Sequence, residues 1–306
     1  MVATPVDSRR RVDFRTVATP ILNIGYFAAG DPHGPVAILL HGFPYDAHAC
    51  LDAGELLAAE GWLVFAPWLR GYGPTTFRSP QTMRSGQQAA LGSDLLAFLD
   101  ALGVERATLA GYDWGGRAAC VVSALWPERV SGLITGNGYN IFSTPLMLQP
   151  APPNQEWHYW YAFYFHSPRG EAGLTQYKRS LTRLLWEQWS PNWSFSEATF
   201  ERSAAAFDNP DFVPVVIHSY RHRYGLVPGD PNYAHLEDRL ATRPSLDVPA
   251  VIIISESGLR QDLAPDTSRF SRLIAQMHVD GGHNLIQENP AQVVAAFRML
   301  HEDGTP

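Results

Sequence analysis

From Ala107 to Gly116 the chain reads Ala-Thr-Leu-Ala-Gly-Tyr-Asp-Trp-Gly-Gly, an apolar run that enters a Gly-x-Asp-x-Gly turn and then a helical stretch. Glycines permit a backbone turn too tight for residues that carry a Cβ, and such a turn exposes one side chain at its apex. That side chain is Asp113, where a nucleophilic serine is the commoner occupant. A carboxylate there changes which chemistry can be completed. A serine attacking an sp³ carbon would form an ether, which water does not readily cleave. An aspartate forms an ester, which can be hydrolysed at its carbonyl. The residue type therefore points to attack on carbon–oxygen or carbon–halogen bonds rather than on peptides or ordinary esters.

The turn needs a buried strand before it and a helix after it, and the rest of the chain supplies that alternation. Val36–Leu40, 62–67, Ala107–Gly111 and 130–135 are short apolar runs suited to burial on both faces of a parallel sheet. Residues 87–102 and 117–126 read as helices between them. The pattern returns late, with a strand at Ala250–Ser255, a helix at 267–274, a strand at 276–279 and a closing helix at 291–301. The fold class expected is α/β, a doubly wound, mostly parallel sheet with right-handed crossovers. Between 140 and 232 no continuous β-run occurs, yet five of the nine tryptophans fall there, at 157, 160, 186, 189 and 193. This predicts an inserted helical cap at 140–232, over the carboxyl ends of a sheet built from 1–139 and 233–306. Most of those aromatics are expected to form the insertion's own core.

A chain of 306 residues that is 45% hydrophobic can bury a sizeable core, and its net charge of −7 argues against nucleic-acid binding. No apolar run approaches the ~20 residues that span a bilayer, and Arg9, Arg10 and Arg11 precede no signal-like apolar stretch. Cys50 and Cys120 are the only cysteines and lie in helical stretches, so no disulfide framework is expected. A cytoplasmic location is the default, no cofactor or metal is implied, and composition leaves monomer and homodimer equally open.

Two further segments complete a catalytic constellation. His41-Gly42-Phe43-Pro44 follows the strand Val36–Leu40, where a loop donates one backbone N–H to an oxyanion hole. The donors expected are the N–H groups of Phe43 and Trp114, and Pro44 suits a cis peptide bond. The general base is expected in the loop after the last strand, where Asp280-Gly281-Gly282-His283-Asn284 offers His283. A carboxylate should support that histidine, and the loop after Ala250–Ser255 should carry it. Glu256 is preferred there, with Asp262 as rival. Asn137 occupies the other place such an acid can take, but it bears no charge. Opening a strained ring leaves an alkoxide that needs a hydrogen-bond donor, for which tyrosine hydroxyls are suited. Tyr161 and Tyr220 are the candidates, although this chemistry does not choose between Tyr161 and Tyr164.

Together these segments resemble the α/β-hydrolases of the epoxide hydrolase branch, relatives of the haloalkane and haloacetate dehalogenases. His-Gly-Phe-Pro at 41–44, Arg-Gly-Tyr-Gly at 70–73, Gly-Tyr-Asp-Trp-Gly-Gly at 111–116 and Gly-Gly-His at 281–283 match in order and spacing over nearly the whole chain. The resemblance implies ring-opening roles for Tyr161 and Tyr220, and a small apolar or aromatic epoxide plus water as reactants. It also marks departures. The family's relay acid would fall at or near Gly258, and Phe43 replaces the asparagine with which many dehalogenases bind halide. Arg70 lacks the partner arginine that haloacetate dehalogenases use to hold a carboxylate. Hydrolytic dehalogenation, and a non-catalytic ligand-binding protein without a relay acid, are the alternatives.

Overall fold

The computed structural model describes residues 12–258 and 265–302. Strands β1 (Asp13–Ala18), β2 (Leu22–Gly30), β3 (Val36–Leu40), β4 (Leu63–Pro67), β5 (Thr76–Phe77), β6 (Ala107–Gly111), β7 (Val130–Gly136), β8 (Ala250–Ser255) and β9 (Leu273–Val279) form one sheet. Its order is β1-β2-β4-β3-β6-β7-β8-β9, with β5 paired to β2. The first two strands join antiparallel, and pairing is parallel from β4 onward. Every residue of β6, β7 and β8 is buried, which is why they read as continuous apolar runs rather than alternating ones. Helices α1 (Leu51–Ala59), α2 (Gln88–Ala101) and α3 (Asp113–Leu125) cross between the early strands. α2 packs on α3, while α1 packs on the closing helix, so the sheet lies between two helical layers.

Between β7 and β8 the chain runs through α4 (Thr144–Met147), α5 (Pro153–His158), α6 (Trp160–His166), α7 (Pro168–Trp189), α8 (Glu197–Ala204), α9 (Phe212–Arg223) and α10 (Ala234–Ala241). Trp186 and Trp189 are fully buried at the end of α7, and Trp186 Nε1 donates to the Pro44 carbonyl at 2.8 Å. That bond ties the helical insertion to the loop after β3. Trp157 stays outside the core; it is 68% exposed, with its ring beside His158. After β9 come α11 (Leu285–Glu288) and α12 (Pro290–Glu302).

One expected element is corrected. Residues 267–274 do not form a helix; they turn and then enter β9 at Leu273. The backbone groups there bond across to another segment: Leu246 N–H donates to the Arg269 carbonyl and Ser271 N–H to the Leu246 carbonyl. Asp266 Oδ1 also accepts from both the N–H and the hydroxyl of Ser268, an Asx turn that competes with helix formation. Parallel strands end on one edge of the sheet, so the loops after β3, β6, β7, β8 and β9 converge there. All the residues proposed for catalysis outside the insertion lie on these loops.

Candidate active site

Asp113 opens α3 with φ +50°, a left-handed conformation strained for a residue with a Cβ. The turn can be this tight because Gly115 lets α3 press on the end of β3. A Cβ at Gly115 would stand 2.4 Å from the Leu40 carbonyl oxygen. Asp113 Oδ1 accepts from Phe43 N–H at 2.9 Å and from Trp114 N–H at 2.7 Å. The two donors foreseen for an oxyanion hole therefore meet on one oxygen. The other, Oδ2, lies 3.8 Å from His283 Nε2. Burial pushes the Asp113 carboxyl up, but the His283 imidazole, the Arg117 guanidinium and the Phe43 N–H outweigh it. The carboxyl is held well below its usual range and is ionised at neutral pH.

The loop bearing Phe43, whose peptide bond to Pro44 is cis, is anchored by His41. Leu69 N–H donates to His41 Nε2 at 3.1 Å, so the proton sits on Nδ1, which donates to the Gly42 carbonyl at 3.1 Å. Complete burial, opposed by Asp46, lowers this imidazole from 6.5 to about 4. The sign of the resulting pH dependence follows. Below 6.5 the unfolded chain takes up a proton that the folded chain refuses until about 4, so stability falls as pH falls through that window. The shift is worth about 3 kcal/mol. Urea midpoints measured from pH 7 to 4 should fall less steeply for His41→Gln than for the native protein. Parallel curves would show that His41 does not carry the effect.

His283 enters from the loop after β9. Its own N–H points at the Trp189 carbonyl (3.1 Å) and at Ser190 Oγ (3.0 Å). Glu288, one turn on, accepts from Gly282 N–H at 2.8 Å, Asn284 N–H at 2.9 Å and Ser190 Oγ at 2.6 Å. Its carboxylate thus clamps both sides of the histidine. Reading the sequence did not single out Glu288; the only local signal is its i+4 spacing from Asn284. The imidazole packs against Trp189, with ring centroids 4.7 Å apart, and is stacked by Tyr45 at 5.7 Å.

The supporting acid is the point of disagreement with the sequence. Glu256 is not brought to His283. Its side chain is 56% exposed and pairs with His278 Nδ1 on the neighbouring strand, at 3.3 Å. Gly258 has φ +76°, and a Cβ there would meet the Trp189 carbonyl oxygen at 2.0 Å. An aspartate therefore cannot occupy that position in this backbone. Asn137 lies at the end of β7, with its side-chain oxygen accepting from Ser255 N–H at 3.0 Å. Asp262 lies outside the described residues. Among those described, His283 Nδ1 has no hydrogen-bond partner.

Tyr161 on α6 and Tyr220 on α9 meet with ring centroids 5.4 Å apart. Both line, with Asp113 and His283, a cavity of about 550 Å³. The Tyr220 hydroxyl is buried, and the hydroxyl that faces it is that of Tyr161. Burial raises both phenols, so they are protonated donors at neutral pH. Tyr164 does not share the cavity; its hydroxyl faces Gly173, where a Cβ would stand 1.9 Å away. Arg70 does not reach the cavity either. It is buried in a bidentate pair with Asp94 at 2.6 and 2.7 Å. Trp114 Nε1 is buried without a partner among the described residues, and its ring stacks on Phe43. Among the described residues no cluster of three or more His, Cys, Asp or Glu side chains could hold a metal ion, and no helix is long and apolar enough to cross a membrane.

A family model described as the alpha/beta hydrolase fold matches residues 35–186. The chain is 40% identical to a crystal structure provisionally named an epoxide hydrolase, from Klebsiella pneumoniae subsp. pneumoniae MGH 78578. The match covers 94% of this chain and 97% of that one, with a TM-score of 0.91. It is similar to epoxide hydrolase A of Mycobacterium tuberculosis, 32% identical over 50% of this chain and 48% of that protein. It also resembles mouse epoxide hydrolase 4, 26% identical over 74% of this chain and 61% of that protein. The chain thus spans about half, or somewhat more, of the length of these two curated relatives. The full-length structural match, together with the nine-stranded sheet and its helices, places the fold: the chain belongs to the α/β-hydrolase family, on its epoxide-hydrolase-like branch.

Proposed function

We propose that this hydrolase opens epoxides to vicinal diols through an ester on Asp113, with the helices at 140–232 acting as a cap over the site. The observation that carries the reading is the division of labour at one carboxylate. Oδ1 is held by two backbone N–H groups, while Asp113 faces a cavity shared with His283 and two tyrosines. Oδ2 attacks a ring carbon, the ring C–O bond breaks, and its electron pair passes to the oxygen. That oxygen takes a proton from Tyr161 or Tyr220. His283 then removes a proton from water, whose oxygen adds to the Asp113 carbonyl carbon. The charge that develops on Oδ1 rests between Phe43 and Trp114 N–H. Collapse expels the diol oxygen, which is protonated from His283; Asp113, left as the acid, releases water's second proton, and the tyrosine takes one up in its place.

Single-turnover reaction in ¹⁸O-labelled water should place label in the Asp113 carboxylate and leave the first diol unlabelled. Label appearing directly in the diol would overturn the two-step mechanism. Hydrolytic dehalogenation remains the rival because Trp114 Nε1 is a buried donor without a partner among the described residues, and a halide could accept from it. The Tyr161→Phe, Tyr220→Phe double variant separates the two. Loss of diol formation by about 10²-fold or more supports the epoxide reading. Retained halide release from a haloalkane, with no native activity on epoxides, supports the rival.

A further inference from the structure

Two guanidiniums face the cavity without a part in any of these proton transfers. Arg117 lies one helical turn beyond Asp113 on α3, and Arg223 three residues beyond Tyr220 on α9. Both line the same cavity as Asp113 and His283. Both flank one aromatic ring, that of Phe142, with guanidinium carbons 4.0 Å (Arg117) and 4.8 Å (Arg223) from its centroid. Arg223 also lies 4.1 Å from the centroid of Tyr220. Its Nε and one terminal nitrogen donate to the carbonyl and hydroxyl of Ser219, at 3.3 and 3.0 Å. Those bonds fix the group's orientation without neutralising it, and no carboxylate of the described residues forms an ion pair with it.

Among the described residues, the carboxylates that line this cavity are Asp113 and Glu156. Asp113 is the attacking group, and Glu156 accepts from Ala151 N–H at 2.7 Å. Glu237 does not line the cavity; it accepts from Ala89 N–H and from the amides of Gln87 and Gln88, and the Arg117 charge helps favour its ionised form. A guanidinium fixed at a cavity wall presents a donor fork matched to a carboxylate, and low local dielectric strengthens the pairing. The mouth of the cavity, by contrast, is apolar and open: Leu146, Leu148, Phe163 and Leu226 are all exposed there.

We infer that the substrate is an epoxide bearing a carboxylate. Its anion docks on Arg223 and Arg117 beside Phe142, and its ring lies between Asp113 and the two tyrosines. The inference rests on the epoxide reading above. The Phe142 ring lies against both guanidiniums and offers a flat apolar face beside them, so the body of such a substrate would be aromatic or similarly flat.

The test compares styrene oxide carrying a para carboxylate with the nearly isosteric para carboxamide. The native protein should turn over the carboxylate with a kcat/KM about tenfold or more above that of the amide. Arg223→Gln should bring the ratio near one, and Arg223→Lys should restore part of it. Because each ratio is taken within one variant, altered folding or a displaced Tyr220 cancels. A ratio near one in the native protein, with both compounds converted to diols, overturns the anionic substrate and leaves the epoxide reading standing. If neither compound is converted, equilibrium binding of the two corresponding diols decides. Tighter binding of the carboxylate that is lost in Arg223→Gln upholds the anion site while the epoxide reading fails. Equal binding overturns the anion site.

Discussion

Replacing His283 with glutamine should stop the reaction halfway and leave the protein alkylated. The first step needs only Asp113 and a tyrosine donor, and neither depends on the imidazole as a proton acceptor. The second step needs a base, because neutral water is a poor nucleophile toward an ester. Turnover should drop by about 10³-fold. Intact-mass analysis should show one epoxide mass added per chain, located by digestion on the peptide carrying Asp113. Glutamine is close in size to histidine, so the clamp that Glu288 forms on Gly282, Asn284 and Ser190 should survive. Without the imidazole beside Oδ2 the Asp113 carboxyl loses one of the groups that hold it down, but Arg117 and the Phe43 N–H still favour its ionised form. Asp113→Asn supplies the control, since an amide forms no ester and should give no adduct. A His283→Gln protein that consumes epoxide at the native rate and remains unmodified would refute the assignment of base and ester together.

The same site shows what can be read from residues in order and what cannot. The elbow was legible because its requirements are local: glycines at fixed offsets, an apolar run before and a helix after. The donors Phe43 and Trp114 were legible for the same reason, each being set by its neighbour in the chain. Tyr161 and Tyr164 differ only by helix phase. Tyr161 shares its inward face with Phe165, while Tyr164 falls toward Gly173, a distinction that needs the packing of α6 on α7. The acid behind His283 was misjudged because Glu256 sits at the end of a strand, where successive side chains point to opposite faces. Its carboxylate turned outward to His278. Strands β1 and β2 left no clear mark either. β1 is exposed along most of its length, so its pattern is set by one partner strand rather than by burial on both faces. In the segment 267–274, Phe270, Leu273 and Ile274 fall at helical spacing, but its backbone bonds to Leu246 instead, a pairing no local window reports.

Arg70→Met is expected to cost the fold about 3–5 kcal/mol, although Arg70 belongs to one of the motifs that suggested the function. The guanidinium is 1% exposed and reaches Asp94 through two nitrogens, with a further bond to the Ser85 carbonyl at 2.7 Å. Burial works against both charges, and their mutual attraction works against burial. The short, bidentate geometry holds the guanidinium charged, while burial still leaves the Asp94 carboxyl above its usual range. Removing Arg70 alone leaves the Asp94 carboxylate in the interior with no counter-charge, so Asp94 must either stay charged at high cost or take up a proton. Converting both groups, as Arg70→Met with Asp94→Leu, removes the desolvation problem along with the bond. The double variant should therefore recover most of the loss, a non-additivity that two independent sites would not give. Urea unfolding of the four proteins reads this directly. Arg70 sits in the chain just before Tyr72, whose ring packs edge-on against Trp114 with centroids 6.1 Å apart. Folded Arg70→Met should nevertheless bind substrate as the native protein does, because Arg70 touches neither the cavity nor Asp113. Undiminished stability together with a lost affinity for carboxylate-bearing epoxides would move the anion site from Arg223 and Arg117 to Arg70. In this structure the Arg-Gly-Tyr-Gly motif holds the loop after β4 in place and stays outside the cavity that α3 and α9 help to line.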